Sequence, residues 1–348
     1  MEHLLKTLME ALGPSGSEVP VRTIIMKEIK PYVDELSVDK FGNLIAHKKG
    51  TGKGEKVVFV AHMDEIALMV KSVEDNGQMR ISTVGGISPV TLVGQLVAVL
   101  DRNGKQACEG VVSFPELHED LEINMLPKLE DLYVDSGLDR RALKRHGVEV
   151  GSYIIPSHHF RFLDSQKIFC GKAIDNRSGC YIVIELIKKL KHIKHDLDLY
   201  FLFSVQEEIG MYGAQVSLYT INPDWGVAVD TTSSQDSECI SPPPDAITVG
   251  KGPVLVLKDA EIITNKCLDD HLIKLSKKHK IPLQIKVEEV GTTDATRIML
   301  YKKGLPSTVV GICLRNIHSS VGIASIDDVN NTVQLLFALI KNPPKIGV

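Results

Sequence analysis

The sequence lacks the features that bring a protein to a membrane or to nucleic acid. Its longest apolar runs, at residues 199–205 and 335–340, are far shorter than the roughly 18 residues that a membrane-spanning helix needs. Its 40 Lys and Arg against 44 Asp and Glu give a net charge of −4, which provides no long-range attraction to nucleic acid or to an anionic membrane. We therefore expect neither of them among the partners of this protein.

Cysteine is scarce, and its positions show no pairing pattern. No CxxC pair occurs among the six residues, which are Cys108, Cys170, Cys180, Cys239, Cys267 and Cys313. In a chain of 348 residues this scatter is typical of reduced thiols rather than of a disulfide framework. The first twelve residues have helical periodicity and internal charges instead of the basic head and apolar stretch of a signal peptide. Both observations predict a cytoplasmic protein.

The composition and length are those of a globular protein with roughly two domains, since 43% of the residues are hydrophobic and 24% are charged. Helical and strand-like segments alternate over residues 1–69 and 164–348, whereas residues 70–163 carry short alternating segments punctuated by Gly and Pro. We therefore predict one α/β domain, discontinuous in sequence over 1–69 and 164–348, that is interrupted by a β-rich insertion over 70–163. The insertion is expected to be a small barrel or sandwich.

The main predicted elements follow from local pattern. Residues 56–61 are apolar after the first position, which predicts a strand covered on both faces. Other strands of the α/β domain are predicted at 197–205, 225–230 and 307–314, and a long helix at 176–190. Ser15 or Ser17 is expected to cap the second helix. In the insertion, strands are predicted at 79–83, 90–100, 108–113 and 152–156.

Five side chains of the types that bind metals stand at or just after the ends of apolar segments, or at a helix start: His62, Asp175, Glu208, Asp230 and His318. Two imidazoles and three carboxylates are about what a pair of divalent ions needs, with one carboxylate bridging the two ions. In open α/β sheets, ligands collect beyond the carboxyl ends of the strands. The joint pattern therefore predicts a two-metal hydrolase, and these nitrogen and oxygen ligands would accept Zn²⁺, Co²⁺ or Mn²⁺.

Each of the five also has an ordinary structural explanation. Asp175 and Asp230 could cap a helix or a turn, because Asp is among the best residues for that purpose. His62 and His318 could be structural residues whose ring nitrogens are satisfied by the fold, and Glu208 could lie in a solvated loop. Taken singly, none of these positions demonstrates a metal site.

Two further carboxylates lie beside the set of five. Asp64 follows His62 by two residues, so in an extended chain it can accept a hydrogen bond from the second ring nitrogen and orient the imidazole. Glu207 and Glu208 follow the most apolar strand and would face opposite ways in regular β-structure. The backbone must therefore turn there if both are to reach one site. We assign Glu208 as a ligand and Glu207 as the general base for a metal-activated water.

At these residues the chain resembles the M42 family of metallo-aminopeptidases, which includes glutamyl aminopeptidases and the tetrahedral (TET) aminopeptidases. The resemblance extends over nearly the whole chain and rests on seven motifs in the order and with the spacing of the family. They are GPSGSE at 13–18, AHMDEIALMV at 61–70, AIDNRSG at 173–179, QEEIGMYGA at 206–214, VAVDTTSS at 227–234, GTTDA at 291–295 and RNIHSSVG at 315–322.

The resemblance implies a fold, an activity and a ligand set. The expected fold is a mixed-sheet α/β/α metallopeptidase domain of the zinc-exopeptidase type with a small β-barrel-like insertion. The implied activity is removal of N-terminal residues from peptides. His62, Asp175 and Asp230 would hold one Zn²⁺ or Co²⁺ ion, and Asp175, Glu208 and His318 the other, with Asp175 bridging.

The resemblance also implies roles for the two neighbouring acids and a quaternary structure. Asp64 would orient His62, and Glu207 would be the catalytic base. The insertion would mediate dimerisation, and the dimers would assemble into a tetrahedral shell of twelve subunits.

The chain departs from the family pattern at several positions, and these leave the substrate open. Asn176 stands where a second Asp is usual, Ala67 where Gly is usual, and Asn316 where an aromatic residue is usual. Three alternatives to an aminopeptidase are a metal-dependent deacylase of N-acylated amino acids or peptides, a glycosidase with paired carboxylates, and a non-catalytic scaffold. The glycosidase leaves the histidines unexplained, and the scaffold leaves unexplained why all seven positions are present.

Overall fold

The computed structural model describes residues 2–52, 54–114, 126–236 and 244–346. In these ranges the strands are β1 Glu35–Val38, β2 Leu44–Lys48, β3 Lys56–His62, β4 Ala67–Val73, β5 Met79–Val84, β6 Leu96–Leu100, β7 Gln106–Ser113, β8 Tyr133–Asp135, β9 Tyr153–Pro156, β10 Arg161–Phe162, β11 Ile168–Gly171, β12 Asp198–Ser204, β13 Trp225–Ser233, β14 Val254–Lys258, β15 Gln284–Val287, β16 Ser307–Leu314 and β17 Gly322–Ser325. The helices are α1 Glu2–Glu10, α2 Val19–Ile29, α3 Arg140–Arg145, α4 Ile174–Lys189, α5 Tyr212–Ile221, α6 Lys266–His279, α7 Ala295–Met299 and α8 Ile326–Lys341.

The α/β part is built on a mixed sheet of eight strands in the order β1-β2-β12-β3-β13-β16-β14-β15. Its four central strands, β12, β3, β13 and β16, run parallel to one another, whereas antiparallel pairs connect them to both flanks. The carboxyl ends of the four central strands therefore meet at one edge of the sheet. A second, three-stranded sheet is formed by β10, β11 and β17.

Helices cover both faces of the large sheet, and strand β3 shows how the sequence produces this arrangement. Val57 and Phe59 belong to the core that is shared with α1, α2, α4 and α8, whereas Val58 and Val60 belong to the core that is shared with α5 and α7. Successive side chains of a strand point to opposite faces, so a continuous apolar run fits a strand that is buried on both sides. The prediction of a doubly covered strand at 56–61 is confirmed.

The β-rich part is a closed barrel in the order β4-β5-β8-β7-β6-β9 with a separate apolar core. Its formation confirms the mixed α/β fold class with a barrel-like β unit. The strand predicted at 90–100 is partly wrong, because Pro89–Thr91 forms a 3₁₀ turn and β6 begins only at Leu96. Proline favours such a turn start, and Gly94 adopts a positive φ of 75° that interrupts an extended strand.

The first barrel strand begins at Ala67, so it crosses the predicted domain boundary at residue 70. The boundaries 1–69, 70–163 and 164–348 stay a prediction, and we propose the barrel as the inserted unit.

The cysteines of the described residues are free thiols. Cys180 and Cys313 are buried, Cys108 and Cys170 are half-buried and Cys267 is exposed, while Cys239 lies outside the described residues. Within the described part of the chain, no helix is both long and apolar enough to cross a membrane.

A buried ion cluster fixes the N-terminal segment against the sheet. Glu65 is bound by Lys172 Nζ at 2.7 and 2.8 Å and by Arg177 Nη2 at 3.2 Å, and all three side chains are at most 5% exposed. The two cations also donate to the carbonyl oxygens of Ala11 and Gly13. Because the cluster is closed to solvent, each charge depends on the others for compensation.

We predict that Glu65→Gln lowers the free energy of unfolding by about 3–5 kcal/mol, because it leaves two buried cations without a counter-charge. Urea unfolding followed by the fluorescence of the single, buried Trp225 measures this change. The matched control is Glu74→Gln, which removes a partly exposed ion pair with Arg80 and should cost about 0–1 kcal/mol. Equal effects of the two substitutions would show that the buried cluster does not stabilise the fold.

Candidate metal centre

The structure brings all seven predicted residues to the carboxyl edge of the parallel strands. His62 ends β3, and Asp230 lies in β13, next to it in the sheet. Glu207 and Glu208 follow β12, and His318 follows β16. The two remaining residues, Asp64 and Asp175, lie just beyond β3 and at the start of α4.

The first group of candidate ligands surrounds the His62 ring. His62 Nε2 lies 3.2 Å from Asp175 Oδ1 and 3.7 Å from Asp230 Oδ1. Each of the three residues offers one ligand atom, and these atoms lie within 4.8 Å of one another. The side chains of His62 and Asp230 are buried, so little solvent reaches these two candidate ligands.

The second group shares Asp175 with the first. His318 Nε2 lies 3.4 Å from Asp175 Oδ2 and 3.5 Å from Glu208 Oε2, and the three ligand atoms again lie within 4.8 Å of one another. The two oxygens of one carboxylate thus face two different histidines. This is the arrangement that a bridging carboxylate requires.

The backbone at the start of α4 explains how Asp175 becomes available. Ala173 adopts a left-handed conformation with φ 53° and ψ 26°, and Asp175 has an extended φ of −75° and ψ of 111°. The side chain that caps the regular helix is that of Asn176, whose Oδ1 accepts a hydrogen bond from the backbone N–H of Gly179 at 3.0 Å. The alternative role of Asp175 as an ordinary helix cap is therefore not observed, and its carboxylate is free to face both histidines.

Asp64 organises the turn that carries the two glutamates. Its carboxylate accepts hydrogen bonds from the backbone N–H of Glu207 at 3.1 Å and of Glu208 at 3.2 Å, and from Ser15 Oγ at 2.5 Å. Gln206, just before them, has a positive φ of 55°. The expected turn after β12 is therefore present, and both glutamates line one cavity.

Two expectations about the residues around Asp64 need adjustment. His62 Nδ1 lies 3.2 Å from the carbonyl oxygen of Asp64 and 3.4 Å from its Oδ1, so the backbone shares the orienting role predicted for the carboxylate. The expectation that Ser15 or Ser17 caps the second helix is wrong. Ser15 binds Asp64 instead, and Glu18 occupies the residue before α2 without a capping hydrogen bond.

The electrostatics of the site reflect an excess of buried carboxylates. Burial and the nearby Asp175 charge raise the pKa of Glu208 to about 8, and burial with the charges of Asp230 and Asp294 raises that of Glu207 well above its usual value. Hydrogen bonding to Asp175 raises the pKa of His318 to about 9. Glu207 and Glu208 therefore resist loss of their protons, and His318 favours its protonated, positively charged form.

This charge distribution fits divalent cations. Two imidazoles face five buried or nearly buried carboxylates, and like charges held together away from water are costly unless a cation compensates them. In addition, Glu208 Oε1 is buried and has no hydrogen-bond partner among the described residues. Nitrogen and oxygen donors of this kind suit Zn²⁺, Co²⁺ and Mn²⁺.

Sequence reasoning assigned no role to three features that the structure places at this centre. Asp294, only 2% exposed, accepts a hydrogen bond from Ser204 Oγ at 2.6 Å, and its pKa is raised to about 7 by burial and by Asp230 and Asp64. Glu18 accepts from the backbone N–H of Gln206 at 3.1 Å. A Cβ at Gly86 would lie 3.1 Å from His318 Nδ1. The GTTDA and GPSGSE motifs signalled the two acids, whereas no local pattern marks Gly86.

The centre opens into a cavity of about 580 Å³. Its walls include Thr231–Ser233 of β13, the segment 290–293 and Ile317. The cavity has room for a side chain beyond the candidate metal ligands, so the site is shaped to receive a substrate and not an ion alone.

Comparisons with known proteins identify relatives of this chain in sequence and in fold. A family model described as M42 glutamyl aminopeptidase matches residues 42–335. A putative aminopeptidase of Acetivibrio thermocellus is 38% identical over 343 residues, which cover 98% of each chain. An aminopeptidase structure from the archaeon Desulfurococcus kamchatkensis matches with a TM-score of 0.93 at 32% identity, over 98% of this chain and 94% of that one.

A further solved structure matches with a TM-score of 0.86 at 30% identity, over 97% of this chain and 98% of the other. It is the TET1 peptidase of Pyrococcus horikoshii, which can assemble into a tetrahedron or a large octahedral shell. These structural likenesses confirm the predicted fold, a zinc-exopeptidase-like α/β/α domain with a barrel.

We predict that the metal-free protein becomes less stable as the pH rises from about 6 to about 9. The raised pKa values of Glu208 and Asp294 mean that the folded chain holds protons which the unfolded chain has already released at these pH values. The raised pKa of His318 acts in the same direction above its ordinary value of 6.5. Unfolding therefore releases protons and is favoured by high pH.

Thermal unfolding after exhaustive dialysis against a chelator measures this dependence. The melting temperature should fall between about pH 6 and pH 9, and saturating Zn²⁺ or Co²⁺ should raise it and flatten the slope, because bound cations stabilise the ionised carboxylates. A melting temperature of the metal-free protein that rises over this range would contradict the assigned directions.

Proposed function

The chain belongs to the M42 family of glutamyl aminopeptidases and is a hydrolase of the aminopeptidase class; we propose that it removes N-terminal residues from peptides at a centre of two divalent metal ions. The observation that carries this proposal is the position of Asp175. Its Oδ1 and Oδ2 lie 3.2 and 3.4 Å from two different histidines, so one carboxylate joins two ligand groups.

In this proposal His62, Asp175 and Asp230 hold one ion, and Asp175, Glu208 and His318 hold the other. Zn²⁺ or Co²⁺ is favoured by the donor set, and Mn²⁺ would also fit. Such ions would lower the pKa of a bound water molecule and polarise the carbonyl group of the peptide bond that is cleaved.

Glu207 is the proposed general base. It belongs to neither ligand group, yet it lines the cavity, and its Oε2 lies 3.8 Å from His62 Nε2. Burial and neighbouring negative charges raise the pKa of Glu207, so its carboxylate has a high affinity for a proton. Glu207 would take the proton of the attacking water and deliver it to the leaving amine. Asp64 positions Glu207 by holding its backbone N–H.

We predict that Glu207→Gln lowers kcat by about 10²–10⁴-fold, because the amide cannot accept the proton. The bound metal content should stay unchanged, since Glu207 is not a ligand in this proposal and its backbone bond to Asp64 remains. Steady-state hydrolysis of aminoacyl-p-nitroanilides and elemental analysis of the dialysed protein measure the two quantities. The matched control is Glu208→Gln, which should lower both the activity and the metal content.

Three outcomes of this experiment and of substrate tests on the wild-type protein would contradict the proposal. If Glu207→Gln kept its activity, the base would be a different residue. If the wild-type protein hydrolysed N-acetylated peptides and left peptides with a free amine intact, it would be a deacylase, the alternative that its aminopeptidase relatives do not favour. Cleavage of glucan that persists in the presence of a chelator would instead indicate a glycosidase with paired carboxylates.

The protein is a homo-oligomer in our proposal, and its building block is a dimer formed through the barrel. The barrel carries exposed apolar side chains on β6 and β7, since Leu96 is 56% and Val111 38% exposed. Exposed large apolar residues on one unit favour an interface. The assembly of TET1 into a tetrahedron and the structure of PhTET1-12s as a dodecamer support twelve subunits, and peptides are the proposed substrates.

We predict a particle of about twelve times the chain mass of 38.3 kDa by light scattering, in line with closed symmetric assembly. Leu96→Asp should shift the mass toward smaller species, because it puts a charge into the proposed interface. Val216→Asp, at a 44% exposed position on α5, is the matched control and should leave the mass unchanged. A monomeric wild-type protein would refute this proposal.

A cytoplasmic location stays a prediction, based on the scattered cysteines.

A further inference from the structure

We propose that the cavity beside the metal centre selects substrates whose N-terminal residue has a cationic side chain, lysine or arginine, and that Asp259 is the residue that binds the cation. The proposal rests on the aminopeptidase function proposed above and names its substrate class. Asp259 lines the cavity, although it is remote in sequence from every candidate metal ligand.

Asp259 has an oxygen that the fold itself leaves without a partner. Its Oδ1 accepts hydrogen bonds from the backbone N–H of Glu261 at 2.8 Å and of Ile262 at 2.9 Å. Its Oδ2 is buried and has no hydrogen-bond partner among the described residues, and the residue is only 3% exposed. A buried carboxylate oxygen without a partner is costly, so a positively charged ligand in the cavity would compensate it.

A second carboxylate lies at the same end of the cavity. Glu288 lines it as well and accepts a hydrogen bond from Thr232 Oγ1 at 2.9 Å. Burial raises the pKa of Asp259, and the nearby charge of Glu288 acts in the same direction. The cavity therefore has an acidic end that is separate from the acids of the metal centre.

Glu288, the second acid of this end, lies at a distance from the metal centre that a lysine side chain can approach. Thr232 follows Asp230 by two residues in β13, so the two side chains lie on the same face of the strand. The strand rises by about 3.3 Å per residue, so Thr232 lies roughly 7 Å along the strand from Asp230, and Glu288 lies in hydrogen-bonding contact with Thr232. A four-carbon stem with a terminal ammonium can cover most of that distance.

Lys286 and Lys258 lie near the acidic end, but their ammonium groups already have acceptors in the fold, so the cavity is not suited to an acidic side chain. Lys286 Nζ has four acceptors within 3.0 Å, which include Thr232 Oγ1, Ser233 Oγ and Glu288 Oε2. An ammonium has three N–H donors, so Lys286 is already saturated. Lys258 Nζ donates to backbone carbonyl oxygens, and within the described residues no cation forms an ion pair with the Asp259 carboxylate.

The test compares aminoacyl-p-nitroanilides of Lys, Arg, Leu and Glu on the wild-type enzyme and on Asp259→Asn. We expect the wild type to have a kcat/KM for Lys and Arg at least about tenfold above that for Leu and Glu. Asp259→Asn should lower the Lys and Arg values by about 10–100-fold and leave Leu within about threefold, because only the charged hydrogen bond is lost. The asparagine keeps Oδ1 for the turn, so the fold is preserved.

The matched control is Asp101→Asn, a carboxylate whose Oδ1 also accepts two backbone N–H groups, in a turn of the barrel. It should leave the ratio of the Lys and Leu values unchanged. A wild-type preference for Leu or Glu would overturn the proposal. An equal loss for Lys and Leu in Asp259→Asn would do the same, since it would show a structural role for Asp259.

Calorimetric binding of L-lysine and of L-norleucine, which has the same stem without the ammonium, separates this proposal from the proposed function. Tighter binding of lysine that disappears in Asp259→Asn supports the cationic site, even if no aminoacyl substrate is hydrolysed and the proposed function fails. Equal binding of the two amino acids refutes the cationic site, even if peptides are cleaved.

Discussion

The carboxylate of Asp64 is the constraint on which the rest of the centre depends. It is fully buried, yet hydrogen bonds from His62, Ser15 and the backbone of Glu207 outweigh the cost of burial and keep its pKa below the usual range. Through these bonds one side chain fixes the N-terminal segment, the end of β3 and the turn after β12. Without that fixed turn, two adjacent glutamates would face opposite sides of a strand.

The sheet makes it possible to gather so many acids in one place. Parallel strands end at a common edge, and side chains placed there from β3, β12, β13 and β16 converge without long loops. The apolar cores on both faces of these strands supply the stability that offsets the electrostatic cost. In the metal-free chain the buried acids of the centre therefore resist ionisation, and divalent cations would stabilise their ionised form by balancing the negative charge.

The parts of the structure that could be predicted from the sequence are those with a local cause. The continuous apolar run of β3 is explained by its burial on both faces, and His62 and Glu208 lie at or shortly after the ends of such runs. The roles of Asp259 and Gly86 could not be predicted, because each depends on segments distant in sequence that meet only in the fold. Ser15 was misassigned because its hydroxyl can serve a local helix start or a distant carboxylate, and sequence does not distinguish these.

The acids of the cavity divide into two sets with different consequences for the chemistry. Those around Asp175 lie beside His62 and His318, so in the proposed two-metal centre their charge would be directed toward ions and a reacting peptide bond. Asp259 and Glu288 line another part of the cavity wall, where Lys286 forms an ion pair with Glu288. In the proposed substrate site, the charge of Asp259 would act on a substrate side chain, while uncharged residues such as Thr231 and Thr232 also line the cavity. Separation of the two sets allows substrate preference to change by substitution at the far end while the metal centre stays intact.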